Sequence, residues 1–252
     1  MDEISEAEGA AVTDTAAWTV SWRAADGEAS RPVAEVADVG FEAVAAVREF
    51  PSYRGQRHFP GWYYAATLDA HVGFESWLER DHAILLDFDP QVTGFASQPF
   101  WLAWRDAREG RERSHAPDFF ARLADGTGLV VDCRPVGRRD ERSLESFAAM
   151  RRACEVAGWS YRLVGELDPV RAANLRWLAG YRHRRYGEPP GAVEAVAAAF
   201  TVPGPLMAQA ASAGDPVEVL PRVFHLLWQG RLAADLSRPL SDRTLVSAGG
   251  HR

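Results

Sequence analysis

His115-Ala116-Pro117-Asp118-Phe119-Phe120-Ala121-Arg122-Leu123-Ala124-Asp125-Gly126-Thr127-Gly128-Leu129-Val130-Val131-Asp132-Cys133-Arg134-Pro135 is the stretch that decides the fold. Two apolar, strand-like runs, Pro117 to Arg122 and Leu129 to Arg134, flank Ala124-Asp125-Gly126, a tight-turn signal because Gly accepts positive φ. With Gly126 in the left-handed position of a three-residue loop, Leu123 pairs with Thr127. Counting back along the hairpin sets Asp118 opposite Asp132, with Cβ atoms ~4.5–5.5 Å apart. A two-residue loop breaks that register. Arg134 lies two residues beyond Asp132 and shares its face. Two carboxylates this close repel unless a proton or cation intervenes, and hard oxygen ligands suit Mg²⁺ or Mn²⁺. Cys133 alternates with Asp132 and reads as a small buried hydrophobe.

A third acid precedes the hairpin. Phe74 to Leu86 has apolar residues at 74, 77, 78 and 85, which predicts a helix. Glu75, Glu79 and His82 fall on an adjoining face at helical spacings. Glu79 either reaches a metal held by the sheet or pairs with an Arg at the surface. His82, one turn on, either assists it or is structural. Between helix and hairpin, Val92–Gln98 and Phe100–Asp106 read as strands. Gln98 either orients a carboxylate or phosphate, or satisfies a backbone group at a strand bend.

These segments resemble the TnsA-type endonuclease subunits of heteromeric transposases, which have the PD-(D/E)XK restriction-endonuclease fold. The matching residues are Glu79 in Glu75-Ser76-Trp77-Leu78-Glu79, Gln98-Pro99 after a strand, Pro117-Asp118, and Asp132-Cys133-Arg134, and the resemblance runs from roughly Trp18 to Val246. It implies an α/β fold with a mixed sheet flanked by helices. It implies a catalytic set of Glu79, Asp118, Asp132 and Arg134, with Mg²⁺ or Mn²⁺ on Asp118, Asp132 and Glu79, and His82 and Gln98 in support. The expected partners are DNA, an integrase-like transposase and an ATPase regulator. The family carries Lys where this chain has Arg134. An assembly subunit that binds DNA or transposase without cutting, and a defence-system nuclease, are the alternatives.

Composition bounds these readings. The 252 residues are 47% hydrophobic and 11% aromatic, enough for a substantial core. No apolar run approaches the ~18 residues of a membrane span, and Met1 to Glu8 is acidic without a signal-peptide apolar region. The reading is a cytoplasmic protein. All 28 basic residues are Arg, which removes Schiff-base, Walker and kinase lysines and points to a high-GC, bacterial source. The net charge of −7 is uneven. Residues 1–42 hold ten acids and two Arg, so the rest carries +1, and 134–185 holds twelve Arg against six acids. Arg138, Arg139, Arg182, Arg184 and Arg185 in this stripe are the expected DNA-binding residues, with ordinary solvated charge pairs the alternative.

Along the chain, residues 1–14 read as a disordered acidic tail, 15–187 as the endonuclease-like domain and 188–252 as a C-terminal module. Trp18 to Arg23 is a strand running into the Asp26-Gly27 turn. Arg54 and Arg57 sit in a Pro- and Gly-containing loop, touching DNA or merely solvated. Glu141 to Ala157 is a helix expected to turn Leu144, Phe147, Ala148 and Met150 to the core. Trp159–Val164 is a strand, and Asp168-Pro169 opens another helix. After the Glu188-Pro189-Pro190-Gly191 linker, helices at 192–200, 205–212 and 216–229 and a small hairpin suggest a winged-helix-like unit, or a helical cap on the core.

Overall fold

The computed structural model describes residues 17–49, 59–106 and 110–249. The Ala124-Asp125-Gly126 turn forms as its sequence dictates. Gly126 has φ +86°, its N–H reaches the Leu123 carbonyl at 2.9 Å, and the Leu123 N–H reaches Thr127 at 2.9 Å. Strands β8 (Phe119–Leu123) and β9 (Gly128–Cys133) pair antiparallel, with Phe119 opposite Val131 and Arg122 opposite Gly128. One further step in this register sets Asp118 beside Asp132.

This hairpin is the centre of a mixed sheet. Strand β5 (Val92–Ser97) runs antiparallel to β8 on one side, and β10 (Ser160–Val164) runs parallel to β9 on the other. Helix α1 (Trp77–Phe88) precedes β5, and α2 (Glu141–Ala157) is the crossover from β9 to β10. Phe119, Ala121, Leu129 and Val131 face one apolar cluster with Ala83 and Ile84 of α1. Phe120 and Val130 face the other, with Met150 and Cys154 of α2. That second layer is completed by a four-stranded sheet, β2-β1-β6-β7, built from β1 (Thr19–Ala24), β2 (Gly27–Pro32), β6 (Trp101–Arg105) and β7 (Glu112–His115). Gly128 has no room for a side chain: a Cβ there would lie 2.6 Å from Trp159 and 2.8 Å from Phe120.

Local chemistry fixes the helix ends. Ser76 accepts from the Glu79 N–H, and the Glu79 carboxylate accepts from the Ser76 hydroxyl and the Glu75 N–H, a capping box. Asp140 caps α2 at its start and Gly158, at φ +73°, ends it. Asp168 caps α3 (Pro169–Ala179), with Pro169 in the first turn.

The phase of α2 differs from the expectation. Phe147 and Met150 are buried, but Leu144 is 46% exposed and Ala148 is also exposed. The buried stripe instead runs through Phe147, Met150, Ala153, Cys154 and Ala157. Small residues let the helix sit close to the sheet, which rotates Leu144 outward. Short, unequal apolar side chains gave the sequence pattern no sharp phase.

A hairpin of β3 (Gly61–Ala65) and β4 (Ala70–Phe74) leads into α1. Buried Asp87 fastens it by accepting from the Tyr63 hydroxyl and the Ala66 and Thr67 N–H groups. The helix expected from 192 begins inside the expected 188–191 linker, as α4 (Pro190–Ala199) with a Pro in its first turn, and is followed by β11 (Gly204–Pro205), α5 (Leu206–Ala213), α6 (Pro216–Trp228), β12 (Leu232–Ala234) and β13 (Leu245–Ala248), the strands ordered β11-β13-β12. Val193, Val223 and Leu226 from these helices, and Phe200 just after α4, join the same apolar cluster as Phe95, Ile84 and Leu175. The C-terminal quarter thus shares a core with the rest. Among the described residues, no helix is long and apolar enough to cross a membrane. The acidic tail expected over residues 1–14 lies outside the described residues.

Candidate active site

Asp118 sits just before β8, and its carbonyl accepts from the Gln98 N–H at 3.0 Å. Its carboxylate does not stand out from the sheet face. Oδ2 turns to the Cys133 N–H at 2.6 Å, filling a ladder position that β8 begins too late to fill. Burial drives the Asp118 carboxyl well above the ordinary carboxylate range, and the charges of Glu79 and Asp132 push it the same way, against the pull of the Cys133 N–H. Asp118 thus stands beside Asp132 in the hairpin register and within electrostatic reach of Glu79 at the start of α1. The Cys133 thiol is likewise pushed up by burial and by Asp118, Glu79 and Asp132.

Each acid is held by different donors. Glu79, 9% exposed, is engaged by the capping box, and burial raises it against the hydrogen bonds from Glu75 and Ser76. Asp132 is fully buried. It shares its strand face with Val130, on the α2 side. Its Oδ1 lies 2.9 Å from His115 Nε2, and its Oδ2 accepts from the Tyr161 hydroxyl at 2.8 Å. Burial, and then the Asp132 charge, push the Tyr161 hydroxyl far up, so it remains a donor at any ordinary pH. Among the described residues, no three His, Cys, Asp or Glu side chains form a ready-made metal cage.

Gln98 is the strained member of the group. Its φ is +44°, and its side chain is buried to 2% exposure. Its backbone bridges the Asp118 carbonyl and the Val47 N–H, the latter at 2.8 Å. Its Oε1 has no hydrogen-bond partner. Strain and an unpaired buried oxygen in one residue are costly, and such residues collect at functional sites.

His82 does not bond to Glu79. Its Nε2 contacts the Gly165 carbonyl at 2.8 Å, and burial lowers its basicity. Arg134 is half-buried beside His115 and Arg142 at a shallow cleft, and its Nε donates to the Arg138 carbonyl at 3.0 Å. Arg139 contacts the Arg134 carbonyl, and Arg138 is exposed. The second basic group lies by the β3–β4 hairpin. Arg182 donates to the Tyr64 carbonyl at 2.6 Å and lies 4.5 Å from the Tyr63 ring, so it knits the hairpin to α3. Arg184 is exposed and pairs with Asp69 at 3.5 Å, and Arg185 lies against Tyr186. Arg54 and Arg57 lie outside the described residues.

His115 and Tyr161 were not singled out as site residues from the sequence. His115 stands three residues before Asp118, but it belongs to β7, which pairs with β6 rather than β8. Tyr161 is legible only once the parallel β9–β10 register, with Tyr161 beside Val130, is known. No protein-family model and no curated protein matches the chain.

Proposed function

We propose that this chain is a metal-dependent DNA endonuclease subunit of a heteromeric transposase, with a restriction-endonuclease-like arrangement around the β5-β8-β9-β10 sheet. One observation carries the reading: the β8–β9 register sets Asp118 beside Asp132 at the end of the central hairpin, and Glu79 of α1 is near enough that its charge adds to burial in raising the Asp118 carboxyl. Helix α1, the antiparallel strands β5, β8 and β9, the crossover helix α2 and the parallel strand β10, with β6 and β7 inserted after β5 into the second sheet, support the same fold. The donor chemistry fits a hard divalent cation. The groups are oxygens, their charges repel one another, and the Gln98 Oε1 lacks a partner. Asp118 and Glu79 would hold the ion, with Asp132 completing the charge. Mg²⁺ or Mn²⁺ supplies an acidified water and neutralises charge building on the phosphate.

The chain's own residues do the rest. His115 Nε2 and the Tyr161 hydroxyl fix the position of the Asp132 carboxylate. Arg134 cannot act as a base, since its pKa exceeds ~12. Once released from the Arg138 carbonyl, it can donate to a phosphate oxygen in a bidentate way. Arg138, Arg139, Arg184 and Arg185 meet phosphates without reading bases.

The C-terminal order helix, strand, helix, helix, strand, strand supports a winged-helix-like module. Its third helix, α6, buries Phe224 through Trp228. That face is committed to the core and leaves little to enter a groove. The module therefore serves assembly with the transposase and its ATPase regulator rather than base readout.

The second reading, a non-cutting assembly subunit, is favoured by the occupied Asp132 oxygens and by Arg134 bonding to Arg138. Strand cleavage with Mg²⁺ or Mn²⁺, alone and with an integrase-like transposase partner, separates the two. The expected outcome is weak, metal-dependent nicking that Asp118→Asn and Arg134→Ala abolish and Arg134→Lys preserves or raises. Inactivity of the wild type with transposase present and DNA binding intact establishes the assembly subunit.

A further inference from the structure

The α1 terminus that carries Glu79 also presents aromatic surface that neither capping nor the core explains. Trp77, two residues before Glu79, is 49% exposed, and Phe59 is 57% exposed. Their rings stack at 5.8 Å between centroids, with planes only 24° apart. The Arg80 guanidinium lies 4.1 Å from the Trp77 ring centre. Phe74, buried below, holds Trp77 at 6.2 Å. Two flat rings and a guanidinium, anchored by Phe74, leave both aromatic side chains about half exposed to solvent. Such platforms take unpaired nucleobases. Every base has a π-face, and an arginine in the stack adds a cation–π contribution. A paired duplex cannot use this surface, because its bases are already stacked on one another.

We propose that Phe59 and Trp77, with Arg80, form a stacking platform for an unpaired base of the DNA strand led past Glu79 and Asp118. This deepens the endonuclease reading and rests on it for the identity of the strand. It makes the preferred substrate DNA with a frayed, flapped or melted segment at the site, rather than intact duplex. A protein partner seated on the same aromatics is the competing occupant.

The test uses the full chain in EDTA, so that binding is read apart from cleavage. Fluorescence anisotropy compares a labelled single-stranded oligonucleotide, a blunt duplex of the same sequence and a flapped duplex. Phe59→Ala and Trp77→Ala are each expected to weaken single-strand and flap binding by about tenfold, and to leave blunt-duplex binding unchanged. Trp77→Phe, which keeps a ring, is expected to retain most of the affinity. Thermal melts establish that the variants remain folded. The inference is overturned by equal losses on all three DNAs, by no loss, by a wild type that ignores single strands, or by variants that lose only co-elution with the transposase. Single-strand binding that responds as expected in a chain that never cleaves sinks the endonuclease reading and leaves the platform standing.

Discussion

Asp118 concentrates the energetic tension of the molecule. Its carboxyl is raised in the folded state by burial and then by Glu79 and Asp132, whereas in the unfolded chain it titrates near ~3.9. A carboxyl raised on folding binds its proton more tightly in the folded state. Its charge therefore costs no stability below the unfolded value, and the cost grows as pH rises from there toward the folded value. Asp118→Asn removes that cost while its amide oxygen still accepts from the Cys133 N–H. In EDTA the Asn variant is expected to melt above wild type at pH 7.5, with the difference closing toward pH 4. Divalent cation should raise the wild-type melting temperature and leave the variant unmoved. Melting curves at the two pH values, with and without Mn²⁺, read this directly. An Asn variant less stable than wild type at pH 7.5 in EDTA would refute the burden assigned to Asp118. The placing of Asp118 beside Asp132 was legible in the hairpin between Pro117-Asp118 and Asp132-Cys133-Arg134, but the engagement of the two carboxylates was not. Asp118 turns in-plane because β8 starts one residue later, and Asp132 is claimed by His115 and Tyr161 from strands that only the tertiary fold brings near.

At the scale of elements, the hairpin register followed from one glycine, because Gly126 takes a conformation that costs other residues energy. The start of α3 followed from Asp168-Pro169, whereas the helix expected from Phe74 begins only at Trp77, after the Ser76 cap, because Phe74 ends β4. The inward face of α2 did not follow from the sequence, since Ala149, Ala153 and Ala157 are buried without announcing a phase. The capping box ties stability to the candidate site, because the Glu79 carboxylate that would meet a cation also caps α1. Ser76→Ala removes the side-chain cap and is expected to cost about 1 kcal/mol, and to weaken divalent-cation affinity by freeing Glu79 to move. Chemical denaturation and calorimetric Mn²⁺ titration measure the two effects. A stability loss with unchanged affinity would divide capping from binding. Gly128→Ala is a harsher case. Its methyl would meet Trp159 at 2.6 Å and Phe120 at 2.8 Å, both packed rings. Overpacking of this kind costs about 1–3 kcal/mol, read as an earlier midpoint in urea.

At the scale of the whole molecule, the Pro-rich 188–191 linker and the compositional shift after it suggested two separable units, yet the apolar cluster runs through both. Phe88 of α1 meets Trp228 of α6 at 5.2 Å, and Trp177 of α3 meets Phe224 edge-on at 5.7 Å. Asn174 of α3, 5% exposed, donates to the Leu236 and Arg238 carbonyls at 2.9 and 2.7 Å and accepts from the Leu240 N–H at 3.1 Å. Local composition reports a linker, but it is silent on whether the flanking surfaces are apolar toward each other. Asn174→Ala strands three backbone groups and is expected to cost on the order of 2–3 kcal/mol, with α6 packing loosened. Truncation after residue 187 goes further. It uncovers Phe88, Leu175 and Leu178, which pack in the same cluster as Val223, Leu226 and Leu227. Exposed apolar surface on that scale loses ~25 cal/mol per Å² from a fold whose whole stability is ~5–15 kcal/mol. The full chain is expected to melt in one calorimetric transition, and the 1–187 fragment to bind a hydrophobic dye without a cooperative melt. A fragment that melts cooperatively would restore the boundary at the linker and make the C-terminal module a detachable assembly arm.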